Sequence, residues 1–382
     1  MVTMTDKLGI YIHVPFCLSK CYYCDFCSET RVDFQKAQAY TDAVCREISF
    51  IAQKLNESGK SALIADTVYF GGGTPVLLGE KQFEQILSSV RKNFPVSEDC
   101  EITVEANPKS ADKQKLFTLK ELGVNRLSIG MQSANDNELR ALGRIHCFAD
   151  FCKIFDDARQ VGFDNVSADL MYGIPEQTLD SFCHSIDALT SMSPEHISSY
   201  CLTLEENTRF YKRGNSLILP NEDTVSDMYG IMSEKLAEKG YQKYEISNFS
   251  RIGRESRHNN KYWTLENYIG FGPSAHSCFD GVRFAHSRDI DAYINGENTF
   301  EQIDKINISQ QMNEYVMLGM RLKRGIIYSE FKTRFGVDFI ARFRDFEKFA
   351  PEFVQINENN CAFTDKGMFV SNYILSEVLD FS

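Results

Sequence analysis

Residues 9–29, GIYIHVPFCLSKCYYCDFCSE, run a β-branched strand straight into four closely spaced cysteines, Cys17, Cys21, Cys24 and Cys27. The pattern of a short strand ending in chemically loaded residues recurs downstream. Candidate strands DTVYF (66–70), EITVEA (101–106), NRLSIG (125–130), NVSADL (165–170) and HISSYCL (196–202) alternate with helical patterns over 34–54, 80–93, 110–121, 148–160 and 178–190. Six β–α repeats imply parallel strands joined by right-handed crossovers, which suits a doubly wound sheet or a full or partial (β/α) barrel. The strand ends favour the barrel. GGGTP (71–75) follows the second strand, EANP (105–108) closes the third, Gln132 follows the fourth and Asp169 closes the fifth. In a barrel all these ends open on one face and build one site.

After about residue 215 the rhythm breaks. Residues 222–240 read as a helix, and 243–277 are aromatic, glycine-containing and irregular. From about 307 the chain is helical again, then VQI (354–356) and CAF (361–363) flank NENN as a hairpin, with a helix over 366–379. Helices plus a hairpin suggest a small α+β, winged-helix-like end. Acidic residues outnumber basic ones from 326 onward, so packing is favoured there over nucleic-acid binding. The expected division is 1–215 for the barrel, 216–300 for a linking segment and 301–382 for the C-terminal unit.

Composition narrows the function classes. Forty-one Lys and Arg against fifty-three Asp and Glu give a formal charge of −12. Binding to a phosphate backbone needs the opposite balance, so no nucleic-acid partner is expected. No apolar run is long enough to span a bilayer, and the N-terminus lacks a signal peptide's long apolar stretch and small-residue cleavage site. A cytoplasmic location follows, with peripheral membrane contact left open. In a reducing compartment, clustered thiols signal metal or redox chemistry more often than disulfides.

The spacing of the four cysteines bears on which metal. A structural zinc wants four protein ligands, commonly two pairs separated by a longer excursion, and the compressed run lacks the second pair. The CxxCxxC of Cys21, Cys24 and Cys27 resembles part of a ferredoxin ligand set, but the fourth cysteine and its proline are missing. The remaining reading is CxxxCxxC: Cys17, Cys21 and Cys24 would bind three irons of a [4Fe–4S] cluster and leave the fourth open.

With that motif the chain resembles the radical S-adenosylmethionine (SAM) enzymes. YIHVPFCLSKCYYCDF, FGGGTP, EITVEANP, NRLSIGMQS, LGRIH and ADLMYGIPEQ occur in the order seen in the coproporphyrinogen III oxidase-like branch. The likeness continues through RHNNKYW and SAHS to TDKGMFVSN, covering nearly the whole chain. It implies a partial (β/α)6 TIM-like radical SAM barrel with a smaller α+β C-terminal region. It also implies a [4Fe–4S] cluster, SAM chelated to the open iron, and a one-electron donor such as flavodoxin or ferredoxin.

Carried over position by position, Tyr11 and Tyr23 should lie beside SAM and the cluster. Gly72, Gly73 and Thr74 match the loop that meets the methionine moiety, where backbone can approach only if no Cβ intervenes. Glu105, Gln132, Arg144 and Asp169 match further SAM positions: a carboxylate suits ribose hydroxyls or the ammonium, and an arginine fork suits the SAM carboxylate. His13 is left outside the ligand set.

The branch holds an oxidase that decarboxylates porphyrinogen propionates and a heme chaperone (HemW-like) group that binds heme and delivers it to acceptor proteins. The oxidase pattern has a cysteine two residues after the third ligand, where this chain has Phe26. It also has a long extension before the cluster, whereas sixteen residues precede Cys17 here. RHNNKYW fits the HNxxYW motif associated with heme in the chaperone group. The resemblance therefore favours a heme chaperone, with His258 the candidate axial ligand and His276 the runner-up. The alternatives are the oxidase, a heme-degrading radical SAM methyltransferase and a plain zinc protein; a homodimer is left open.

Overall fold

The computed structural model describes residues 6–30, 32–60, 62–297, 299–304 and 306–380. Six parallel strands pair in chain order: β1 (Lys7–Val14), β2 (Ile64–Gly72), β3 (Val96–Ala106), β4 (Arg126–Gln132), β5 (Val166–Tyr172) and β6 (His196–Cys201). Between them run α1 (Phe34–Glu57), α2 (Glu80–Asn93), α3 (Lys113–Glu121), α4 (Asp136–Ala141), α5 (Phe148–Gln160) and α6 (Leu179–Ser191). The helices start where the chain supplies acceptors. Asp33, Asp112 and Thr178 each take a backbone N–H of the first turn of α1, α3 and α6, satisfying donors that a helix start leaves open.

Alternation along the strands separates the core from a polar interior. On β4, Leu127, Ile129 and Met131 join the apolar core with Ile102 and Val104 of β3 and Val166, Ala168 and Leu170 of β5. Arg126, Ser128, Gly130 and Gln132, the intervening residues of β4, line a cavity on the other face. A period of two sends successive side chains to opposite faces, so β2 to β6 both pack on their helices and furnish the site.

The partial barrel expected from the sequence is present, but its sheet is wider. Its order places β9 (Tyr268–Phe271) beside β1, in parallel, followed by β10 (His276–Phe279), β11 (Val282–His286) and β12 (Phe300–Asp304). At the other edge β6 pairs with β8 (Asn248–Ser250) and β8 with β7 (Gln242–Lys243). The stretch read as irregular thus supplies strands to both edges. These strands are two to five residues long, too short for alternation to stand out from the aromatic background.

Between α6 and the C-terminal region lie α7 (Arg209–Arg213), α8 (Glu222–Glu238) and α9 (Arg257–Thr264). A small antiparallel sheet follows, in which Asn360–Phe363 lies between Ile326–Ile327 and Val354–Ile356. The helix expected over 366–379 is two, Asp365–Phe369 and Ser371–Val378, with Val370 out of helical geometry between them.

Candidate functional site

The cysteine loop leaves β1 and returns on itself: Cys17 N–H donates to Glu29 O and Glu29 N–H to Pro15 O, both at 2.9 Å. Cys17, Cys21 and Cys24 are half-buried and line a cavity of about 630 Å³ inside the strands. Cys27 is buried, is absent from the cavity wall, and lies with its thiol 3.3 Å from the Arg288 carbonyl oxygen. Phe26, by contrast, is 64% exposed at the rim. The loop sits on Gly143, where an added Cβ would fall 2.7 Å from the Tyr22 ring. Burial pushes the Cys24 thiol up, with Cys21 and Cys17 adding to the shift, so a bound cation has to displace its proton. Among the described residues, no three His, Cys, Asp or Glu side chains converge as a single metal ion requires. Three thiols spread around a mouth suit a larger cluster with one ligand supplied from the cavity.

Beside the thiols lies the glycine turn after β2. A Cβ on Gly73 would stand 2.6 Å from Phe16 O and 2.9 Å from Val14 O, backbone atoms that cannot yield, and Gly72 has φ of 105°. The turn therefore depends on glycine for close approach as well as for conformation. Thr74 Oγ1 is 3.7 Å from Cys17 Sγ and accepts from Asn107 Nδ2 at 2.8 Å.

Glu105 accepts from Tyr69 Oη at 2.8 Å and from Gly72 N–H at 3.2 Å. Burial outweighs both donors and pushes its carboxyl up to about 7. Asp169 is raised by burial as well, against a 3.1 Å bond from Ser128 Oγ. Arg144 donates to Asn107 Oδ1 at 2.7 Å, and its Nε is buried without a partner among the described residues. Gln132 accepts from Tyr200 Oη at 3.0 Å. It is a non-glycine residue at φ of 67°, where the β4–β5 register slips. Strain of this kind persists where the surroundings enforce it, and it clusters at functional sites. A Cβ on the neighbouring Gly130 would meet Gln132 at 2.8 Å and Arg144 at 2.9 Å, so Gly130 lets both side chains close over the strand.

Tyr23, Gly72, Gly73, Thr74, Glu105, Gln132, Arg144 and Asp169 thus surround one cavity with the three cysteines. Tyr11 and His258 do not line it. Tyr11 lies a layer deeper, its hydroxyl 3.0 Å from His13 Nδ1 and its ring stacked 6.3 Å from that of His258. His258 is fully buried, with Nδ1 2.8 Å from Thr67 Oγ1 and Nε2 2.8 Å from Tyr262 Oη. Burial lowers its pKa to about 3. The candidate axial ligand therefore presents no open ring nitrogen, because its helix, α9, is pinned. Glu101 accepts from the backbone N–H of Arg257 and His258, and the Lys261 ammonium is 2.9 Å from Asp66. His276 is exposed, and no hydrogen bond to its ring occurs among the described residues.

Sequence reading did not single out Asn107, which ties Thr74 to Arg144, or Arg126, Tyr69 and Tyr200. Period-two spacing from Glu105, Gln132 and Gly71 would have reached three of these four, since alternate residues share the inner face.

The cavity's donor set, a glycine backbone with two carboxylates and a buried guanidinium beside three thiols, suits a zwitterionic nucleoside-like cofactor on a thiolate-bound cluster. The radical SAM superfamily profile matches residues 11–189, and the HemN C-terminal domain profile matches 309–370. The heme chaperone HemW of Bacillus subtilis (strain 168) is 35% identical over 378 residues, spanning 97% of this chain and 98% of that protein. HemW of Lactococcus lactis subsp. lactis (strain IL1403) is 31% identical over 376 residues, 97% of this chain and 96% of that one. Among solved structures, Escherichia coli coproporphyrinogen III oxidase (HemN), described as a radical SAM enzyme, aligns with a TM-score of 0.85 at 23% identity. It covers 100% of this chain and 92% of its own. No helix among the described residues is long and apolar enough to cross a membrane.

Proposed function

Because this chain belongs to the radical SAM superfamily and, within it, to the HemW heme chaperone family, we propose that it carries a [4Fe–4S] cluster, SAM and heme, and passes heme to acceptor proteins. The observation that carries this reading is near-full-length similarity to proteins named as heme chaperones. Phe26 supports it: the rim position where the oxidase pattern has a thiol holds an exposed phenyl ring.

In this reading Cys17, Cys21 and Cys24 hold the cluster. When bound, the cluster and SAM supply one-electron cleavage of a sulfonium. The chain's own part is placement. The Gly72–Gly73 backbone meets the methionine moiety, and Arg144, held by Asn107, forks onto a carboxylate. Glu105 and Asp169 accept from ammonium and ribose hydroxyls, and strained Gln132 borders the same end. Tyr23 and Tyr200 close the sides. A flavodoxin or ferredoxin is the proposed electron donor.

For heme, His276 is the more accessible imidazole of the two. Its pKa is lowered by partial burial and by Arg283, which keeps a ring nitrogen unprotonated for iron. His258 instead anchors α9 to β2.

The deciding experiment is anaerobic. Reconstituted protein is offered coproporphyrinogen III, heme and SAM separately. Saturable heme binding without vinyl-porphyrin formation is expected. Conversion to protoporphyrinogen would overturn the chaperone reading in favour of the oxidase. Loss of the heme absorption band with ring opening would overturn it in favour of degradation.

A further inference from the structure

Arg126, the first residue of β4, is only 1% exposed and lines the cavity. It makes no ion pair or hydrogen bond among the described residues, and its Nε is buried without a partner. A buried guanidinium is ordinarily paired, because desolvating a charge is costly. The surrounding wall carries further polar groups. Asn259 of α9 lines the same cavity, as do Ser198 and Asn248, which face each other across the β6–β8 pair and whose side chains already bond Asp169 and Glu245.

Arg144 marks the cluster end of this cavity. It touches the strand at Gly130, four residues along β4 from Arg126, or about 13 Å at the usual rise of a strand. With SAM held by Arg144, Glu105 and Asp169, the guanidinium of Arg126 stays without a hydrogen-bond acceptor among the described residues, although Asp169 and Glu105 are near enough to feel its charge.

We propose that Arg126, with the side chain of Asn259, forms a second anion subsite at the closed end of the barrel, which takes the carboxylate of a small ligand other than SAM. It rests on the reading above only in assigning SAM to the cluster end. The planar fork of Arg126 matches a carboxylate in two parallel hydrogen bonds. The carboxylate can belong to a free small acid or to one arm of a larger ligand reaching down the cavity.

The probe is propionate labelled with carbon-13 at the carboxyl, titrated by NMR into oxidised, cluster-loaded protein with and without SAM; succinate stands for a ligand with a second arm. Saturable binding is expected, with chloride competing and SAM compatible, and at least tenfold weaker in Arg126→Met. SAM affinity in that variant should fall by less than propionate affinity does. Arg126→Lys keeps the charge but loses the fork; an intermediate weakening is expected, and this variant decides the matter if Arg126→Met does not fold. Tighter succinate than propionate assigns the site to a ligand arm, and equal binding assigns it to a free acid. No propionate binding in the wild type, or equal binding in wild type and variants, overturns the subsite. Arg126-dependent binding in a protein that fails to bind SAM leaves the subsite standing and removes the SAM assignment instead.

Discussion

Arg144 and Asn107 meet at 2.7 Å, guanidinium N–H to amide oxygen, and the other end of the same amide donates to Thr74. One asparagine thus sets the arginine's direction and ties the glycine turn to it. Asn107→Ala should weaken SAM binding about tenfold or more, the scale of one to two hydrogen bonds to a charged group. Iron and sulfide per chain should stay unchanged. Calorimetric titration of SAM into wild-type and variant protein checks it; an unchanged affinity would mean Arg144 needs no support.

Cys27 and Cys24 lie three residues apart but in different surroundings: one thiol is against the Arg288 carbonyl, the other on the cavity wall. Cys27→Ser should keep its iron, and Cys24→Ser should lose it. Equal losses would show that the ligand set includes Cys27.

Gly73 has backbone oxygens 2.6 Å and 2.9 Å from where a Cβ would stand. Gly73→Ala should displace the turn from the cysteine loop, so that SAM binding falls sharply while the far-ultraviolet circular dichroism of the barrel is retained. Native SAM affinity would contradict the packing argument.

Glu105 has a pKa of about 7 in the folded chain against an ordinary 4.5. Raised in the fold, it contributes stability fully present below pH 4.5 and lost as pH climbs to about 7. The loss is about 3 kcal/mol. Ligand donors favour the ionised form, so SAM binding should release a proton and tighten between pH 6 and 8. Glu105→Gln should flatten both profiles, as urea melts and titrations across pH can test.

His258 bridges Thr67 and Tyr262, so truncation strands two buried hydroxyls. His258→Ala should lower stability by about 2–4 kcal/mol yet leave the heme absorption maximum where it is. His276→Ala should shift that maximum with little change in melting temperature. The opposite pattern would restore His258 as the axial ligand.

The repeating strands and their loaded ends were legible because period-two alternation and cysteine spacing are local properties. Short strands at the sheet edges were not, since β9 exists through its pairing with β1 and carries only four residues. The HNxxYW stretch reads as a ligand-bearing loop until its helix is seen docked on Glu101 and Thr67. These are contacts across more than one hundred and fifty positions of chain, and no local pattern encodes them.

By itself the sequence determined the parallel barrel, the three cysteines at its mouth and the family, all written in residue type and spacing. Only the tertiary structure decided that Cys27 turns away from the site, that His258 is locked inside, and that Arg126 lines the cavity with its guanidinium unbonded among the described residues. Burial and pairing belong to the neighbours that folding brings, and those neighbours are far away along the chain.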